Sequence, residues 1–227
     1  VYPSPIVNVR FFASDLKLVT VDASGLVNKL SYKKNMLWTT TYSVESECLL
    51  DGTAGQILAM NVLPPYDYVK QQLLQQASNG DATALHAKSL KSTMQKLTLI
   101  ALSSERNSFA VAVEPGVHVL HRWLKPDLDR ISGRNHQEQT QTQQAQVYLP
   151  CLSWGWSLVE GGGHVINPIL ARAWGCCIQL LRASFPDPDL ENEATDALTM
   201  APEGFQYPAF GVHDEFDVDV PVVALEW

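Results

Sequence analysis

Several clusters in this sequence carry residue types that could do chemistry. Gly161-Gly162-Gly163-His164 has the small residues of a phosphate cradle. A phosphate-binding loop also needs a Lys and a Ser or Thr after its last Gly, at the opening of a helix. Here the β-prone Val165-Ile166 follows, so the glycines read as a hairpin loop. His118 and His121, with Cys176 and Cys177, supply soft ligand types. Structural zinc sites use paired Cys or His spacings, and two His three apart in a strand point to opposite faces. These four are therefore expected as ordinary buried or surface side chains. The carboxylates Asp187, Asp189, Glu191, Glu193 and Asp196, then Asp214, Glu215, Asp217 and Asp219, alternate in places as calcium loops do. They lack the spacing of an EF-hand, with its central Gly and terminal Glu, and read as a solvated acidic loop. Ser153, in Leu-Ser-Trp-Gly-Trp, belongs to no Gly-x-Ser-x-Gly elbow and has no recognisable base or oxyanion partner. Trp154 and Trp156 share one face of a strand and are expected to pack between sheets. No residue is assigned as catalytic, cofactor-binding or metal-ligating, no cofactor is expected, and partner-contacting residues stay unassigned.

What could position such residues is bounded by composition. The 227 residues are 46% hydrophobic with six Trp, seven Tyr and seven Phe, enough apolar area for a real core. Sixteen Lys and Arg against 24 Asp and Glu leave a charge of −8, which repels phosphate backbones and anionic membrane surfaces at long range, so no nucleic acid is expected as a partner. Cys48, Cys151, Cys176 and Cys177 form no CxxC pair or secreted framework and read as reduced thiols in a reducing compartment. The apolar runs are of strand length, short of the roughly 20 residues of a membrane helix, and no signal peptide opens the chain. The absent initiator Met and the end in Val222-Val223-Ala224-Leu225-Glu226-Trp227 suggest a piece of a longer polypeptide.

The local pattern is all-β. Ile6 to Phe12, Leu18 to Asp22 and Leu26 to Tyr32 read as three strands of a meander. In the turn Asp22-Ala23-Ser24-Gly25 the Asp can cap its own turn while Gly accepts a positive φ. Cys48 to Leu63 repeats that layout, with a Gly-bearing hairpin and an apolar strand, as a second blade. Pro64 to Gln95 breaks the rhythm as an insertion (64–95), with a short helix over Tyr68 to Ala77. Strands return at Leu97 to Leu102, Phe109 to Glu114 and Val117 to Trp123. The segment 125–147 is polar and Gln-rich and is expected to be a flexible loop. A further blade follows in Tyr148 to Trp156, Ile166 to Trp174 and Cys177 to Ala183, then an acidic, Pro-bearing loop over 186–219, then the opening of another strand at Val220. Residues 1–227 thus read as part of one WD40-like β-propeller, roughly three blades and the start of a fourth with long rim loops, in an architecture that needs about 4 to 8 blades to close.

Four blocks make the reading more specific. They are Leu18 to Val27 with Lys29-Leu30-Ser31-Tyr32; Glu47-Cys48-Leu49-Leu50-Asp51-Gly52; Phe109 to Trp123; and Leu149-Pro150-Cys151-Leu152-Ser153-Trp154 with Val165 to Ala171, whose Asn-Pro-Ile-Leu-Ala strand runs on to Trp174-Gly175. In order and spacing these blocks resemble the vacuolar protein sorting-associated protein 8 family, a subunit of the CORVET endosomal tethering complex. They cover about half the residues. The Gln-rich and acidic loops depart from the animal members, as a fungal relative would. The resemblance implies an N-terminal propeller ahead of an α-solenoid and a RING-type zinc domain, neither present in these residues. It further implies a non-enzymatic platform that binds a GTP-loaded early-endosomal Rab GTPase and other tether subunits, cytoplasmic and peripheral on endosome or vacuole membranes through its partners. Two alternatives stay open: a propeller of another trafficking tether or coat, and a propeller hydrolase or lyase with polar residues converging on a central channel.

Overall fold

The computed structural model describes residues 4–12, 17–36, 40–66, 95–126, 149–159, 165–185, 205 and 207–226. Among them, three four-stranded antiparallel meanders follow one another along the chain. The first holds β1 (Ile6–Phe12), β2 (Lys17–Asp22), β3 (Leu26–Met36) and β4 (Thr40–Asp51) in the order β1-β2-β3-β4. The second holds β5 (Ile57–Val62), β6 (Thr98–Ser104), β7 (Asn107–Glu114) and β8 (His118–Leu124), ordered β5-β6-β7-β8. The third holds β9 (Cys151–Val159), β10 (Val165–Trp174), β11 (Cys177–Ser184) and β12 (Ala209–Asp217), again in chain order across the sheet.

The middle sheet explains why the sheets stack. Strands β6 and β7 are buried almost end to end, so successive side chains, which point to opposite faces, must both find cover. Ile100, Leu102, Phe109, Val111 and Val113 meet Val19, Val21, Val27 and Leu49 of the first sheet. Leu99, Ala101, Ala110 and Ala112 meet Leu152, Trp154, Leu170 and Leu181 of the third. Alanines on one face leave room for the indole opposite, as close-packed interiors require. Burying each large aliphatic side chain here stabilises the stack by about 1.5–3 kcal/mol. The first strands of sheets two and three are also tied by polar contacts: Asn61 Oδ1 accepts from the Trp154 amide at 3.0 Å, and Trp156 Nε1 donates to the Pro64 carbonyl at 3.0 Å. Tyr66 meets the Trp156 ring edge-on at 5.5 Å. The two tryptophans do pack between sheets, Trp154 buried and Trp156 half-buried.

Three sequence expectations change. Cys48–Asp51 is not the opening of a second-blade hairpin: it ends β4, a strand the sequence reading missed, and Gly52–Gly55 carries the chain to β5. An outermost strand is solvated on most of its surface, so Thr-Thr-Tyr-Ser-Val-Glu-Ser-Glu lacks the apolar alternation that betrays a half-buried strand. The stretch assigned to the acidic loop 186–219 contains β12, paired with β11 from Cys177↔Asp217 to Ser184↔Ala209. Backbone pairing holds it, so its carboxylates did not need to be apolar. No strand opens at Val220: residues 218–226 run without one, tied back by the Val218 amide to the Cys176 carbonyl and the Val222 amide to the Gly175 carbonyl. The helix expected at Tyr68 to Ala77, the body of the insertion 64–95 and all but the first two residues of the loop 125–147 lie outside the described residues.

Candidate interaction surface

Each joint between sheets carries a set of ionisable side chains. In the first, Lys29 on β3 is buried and places Nζ 3.0 Å from the Val113 carbonyl, 3.1 Å from Glu114 Oε1 and 3.3 Å from Glu47 Oε2. Lys17 on β2 reaches the same Glu114 oxygen at 2.8 Å. Glu114, at the end of β7, thus receives two cations from the neighbouring sheet. Burial alone would raise its pKa, but hydrogen bonds and charge from Lys17 and Lys29 outweigh that and hold its carboxyl below the ordinary value of 4.5. Because the folded value is the lower one, the stabilisation is complete above pH 4.5 and is lost as pH falls through the depressed folded value. Glu114→Gln is therefore predicted to cost about 1–2 kcal/mol at neutral pH, discounted for solvent screening at this half-open site. It should also flatten the acid limb of the stability curve, and chemical denaturation at several pH values from acid to neutral reads both. An acid limb as steep as the parent's would exclude Glu114 as its source.

In the second joint, Arg172 on β10 is almost fully buried. Its Nε donates to Gln179 Oε1 at 2.7 Å and an Nη donates to the Leu124 carbonyl, at the end of β8, at 3.0 Å. Gln179 in turn donates to Glu215 on β12. The guanidinium lies between two rings, 5.7 Å from Trp123 and 5.6 Å from Trp174. Burial lowers its pKa to about 10, with Cys177 and Glu215 opposing, so it stays cationic at neutral pH. Burial, with Glu215 and Asp217 adding, pushes the Cys177 thiol up to about 11.

The structure disperses the residues singled out for chemistry. Cys177 is buried, Cys176 half-buried, and all four cysteines are free. Ser153 is buried in β9. His118 and His121 correct the sequence expectation. A bulge shifts the β7–β8 register, so His121 pairs with Ala110 and His118 with Ala112, residues of one face. Both rings therefore face the third sheet's side, where His118 stacks on Tyr207 at 5.4 Å and His121 tilts against Trp123 at 4.5 Å. Burial, then the charge of Arg172, lowers the pKa of His121. Asp214, Glu215 and Asp217 lie on β12, while Gly161-Gly162-Gly163-His164 and the carboxylates from Asp187 to Asp196 fall outside the described residues. Among the described residues no three His, Cys, Asp or Glu come together as a metal site, and no helix is long and apolar enough to cross a membrane.

Away from the joints, the described residues expose the outer strands and the far face of the first sheet. Val9, Phe11, Tyr32, Tyr42 and Val44 are exposed there, Phe11 and Tyr42 by 71% and 67%. In a partial propeller such an uncovered sheet face is the one a further blade packs against. Sequence reasoning missed the joint residues Lys29, Glu114, Arg172 and Gln179. The one signal it passed over is a cation inside the apolar run Ile169-Leu170-Ala171-Arg172-Ala173-Trp174, since a buried Arg demands partners. A family model described as the Vps8 beta-propeller matches residues 1–227. No curated protein and no solved structure matches.

Proposed function

We propose, from the premise that this chain belongs to the Vps8 β-propeller family, that it is the recognition platform of an endosomal tethering subunit. The family is one of trafficking-tether scaffolds and not of enzymes. On this reading the platform binds a GTP-loaded early-endosomal Rab GTPase and other CORVET subunits. It stands at endosome or vacuole membranes through those partners and serves endosome-to-vacuole transport. The match over the whole of residues 1–227 is the observation that carries it. The structure agrees in kind: the buried ionisable groups at both joints brace one sheet against the next, which suits a rigid support presenting loops and outer strands.

The test is retention of the intact protein on immobilised early-endosomal Rab at physiological salt. Retention with GTP-loaded Rab and not with GDP-loaded Rab is expected. Equal retention on both forms, or none, overturns the Rab assignment and leaves a tether subunit that meets other partners.

A further inference from the structure

Cations are the minority charge of this chain, and in the first sheet Lys17, Lys29 and Lys33 are each taken up by a glutamate. One end of the second sheet departs from that pattern. There the β6–β7 turn and the last residues of β8 lie side by side: Asn107 pairs with Leu124, and the Lys125 amide donates to the Arg106 carbonyl at 2.7 Å. Arg106, Arg122 and Lys125 are all exposed at this corner. Among the described residues no carboxylate comes within ion-pair distance of any of them, Glu105 of the same turn included.

Arg122 is held in place before any partner arrives. Its Nε donates to Asn107 Oδ1 at 3.1 Å, and its guanidinium lies over the Phe109 ring, 5.8 Å from the centroid. Both supports are buried. Asn107 is itself fixed, because its amide donates to Ser104 Oγ at 3.2 Å and its carbonyl accepts from the Ser103 hydroxyl at 3.3 Å. Among the described residues nothing engages the two Nη groups, which are left for the bidentate contact a guanidinium makes with a carboxylate or phosphate. A side chain ordered in advance loses less entropy on binding, and Arg106 and Lys125 add charge on either side of it.

The ligand that fits such a corner is anionic and narrow. An anionic membrane would have to approach the whole protein, whose net charge is −8 and whose exposed Asp214, Glu215 and Asp217 repel it. A short peptide segment meets the corner alone, since exposed charges farther than about 8 Å are largely screened at physiological salt. We infer that the corner of Arg106, Arg122 and Lys125 is a docking site for a short acidic segment of a partner protein, one carboxylate taking the Arg122 fork while flanking acids meet Arg106 and Lys125. Arg clusters recognise acidic peptide motifs in this way. The inference rests on neither the Rab reading nor the family, so the failure of either leaves it standing.

The intact protein is titrated, by fluorescence anisotropy, with a labelled and capped peptide of about six residues rich in Asp and Glu, and with its Asn and Gln counterpart. Saturable binding of the acidic peptide alone, weakening as salt is raised, is expected. Arg122→Gln should weaken it about tenfold or more. Arg122→Lys, which keeps the charge and gives up the fork, should weaken it several-fold. Both variants are expected to keep the parent's circular dichroism spectrum, and Arg106→Gln combined with Lys125→Gln serves if neither folds. Arg10→Gln removes an exposed cation on β1 and should leave the affinity unchanged. An equal loss in the Arg10 variant, no binding of the acidic peptide, equal binding of the amide peptide, or binding to phosphatidylserine vesicles as tight as to the peptide would each overturn the assignment. So would self-association that Arg122→Gln abolishes, which would give the corner to a second copy of the chain.

Discussion

Replacing Arg172 with alanine is expected to destabilise the protein by about 3–5 kcal/mol, more than loss of any exposed charge. Truncation leaves the Leu124 carbonyl and the Gln179 side-chain oxygen without the donors that reach them at 3.0 and 2.7 Å, and the buried Gln179 oxygen left unsatisfied costs about 1–3 kcal/mol, the part-buried Leu124 carbonyl less. It also empties the space between the Trp123 and Trp174 rings, so a cavity penalty adds to the lost contacts. Arg172→Met fills most of that volume and is predicted to lose less, because Glu215 on the exposed strand β12 can turn back to water. Arg172→Lys keeps the charge without the planar fork that serves Gln179 and Leu124 together and should fall between the two. Equilibrium denaturation of the three variants settles the order. An alanine variant within about 1 kcal/mol of the parent would falsify the claim that Arg172 locks the second and third sheets together.

The same residue shows what the sequence could and could not disclose. Strands β6 and β7 of the middle sheet were legible because they are buried on both faces and carry apolar runs, and the three-sheet layout followed from them. Strand β4 was hidden because an outer strand needs neither apolar run nor alternation, and β12 was hidden beneath its own carboxylates. The shared face of His118 and His121 was unreadable for a different reason. One bulge residue, Leu120, reverses the parity of every later side chain in β8, and no residue type announces it. The joint network was legible only in part: Arg172 amid apolar neighbours signals a partner, but that the partners sit on β8, β11 and β12 depends on tertiary placement.

The β2–β3 turn of the first sheet, which lies against the link to the second, supplies the other large effect. Asp22 Oδ1 accepts from the Ser24 amide at 2.9 Å, the Ser24 hydroxyl at 2.6 Å and the Leu26 amide at 3.0 Å, and the Ser24 hydroxyl, ahead of the opposing effect of burial, holds that carboxyl below its ordinary range. This capping leaves Gly25 at φ 88°, a region costing an L-residue about 1–2 kcal/mol. Strain is the smaller part of what an alanine there would meet. Its Cβ would stand 2.1 Å from the Gly55 carbonyl oxygen and 2.7 Å from its carbon, and backbone at that distance has to move. What must move is the link that carries the chain from β4 to β5, where Asp51 Oδ1 accepts from Thr53 through its amide at 3.0 Å and its hydroxyl at 2.6 Å. Gly55 makes the natural control, since its φ is 79° and nothing lies within 4 Å of the added carbon. Gly55→Ala thus carries conformational strain alone, about 1 kcal/mol, whereas Gly25→Ala is expected to cost more than about 3 kcal/mol because the link is displaced as well. Should Gly25→Ala give no soluble protein while Gly55→Ala folds and melts cooperatively, the same ranking is read from yield. Equal losses in the two variants would mean that the turn and the link do not touch in solution, and that the first sheet is held to the second by the apolar packing between them and the contacts of Lys17 and Lys29 with Glu114 and the Val113 carbonyl.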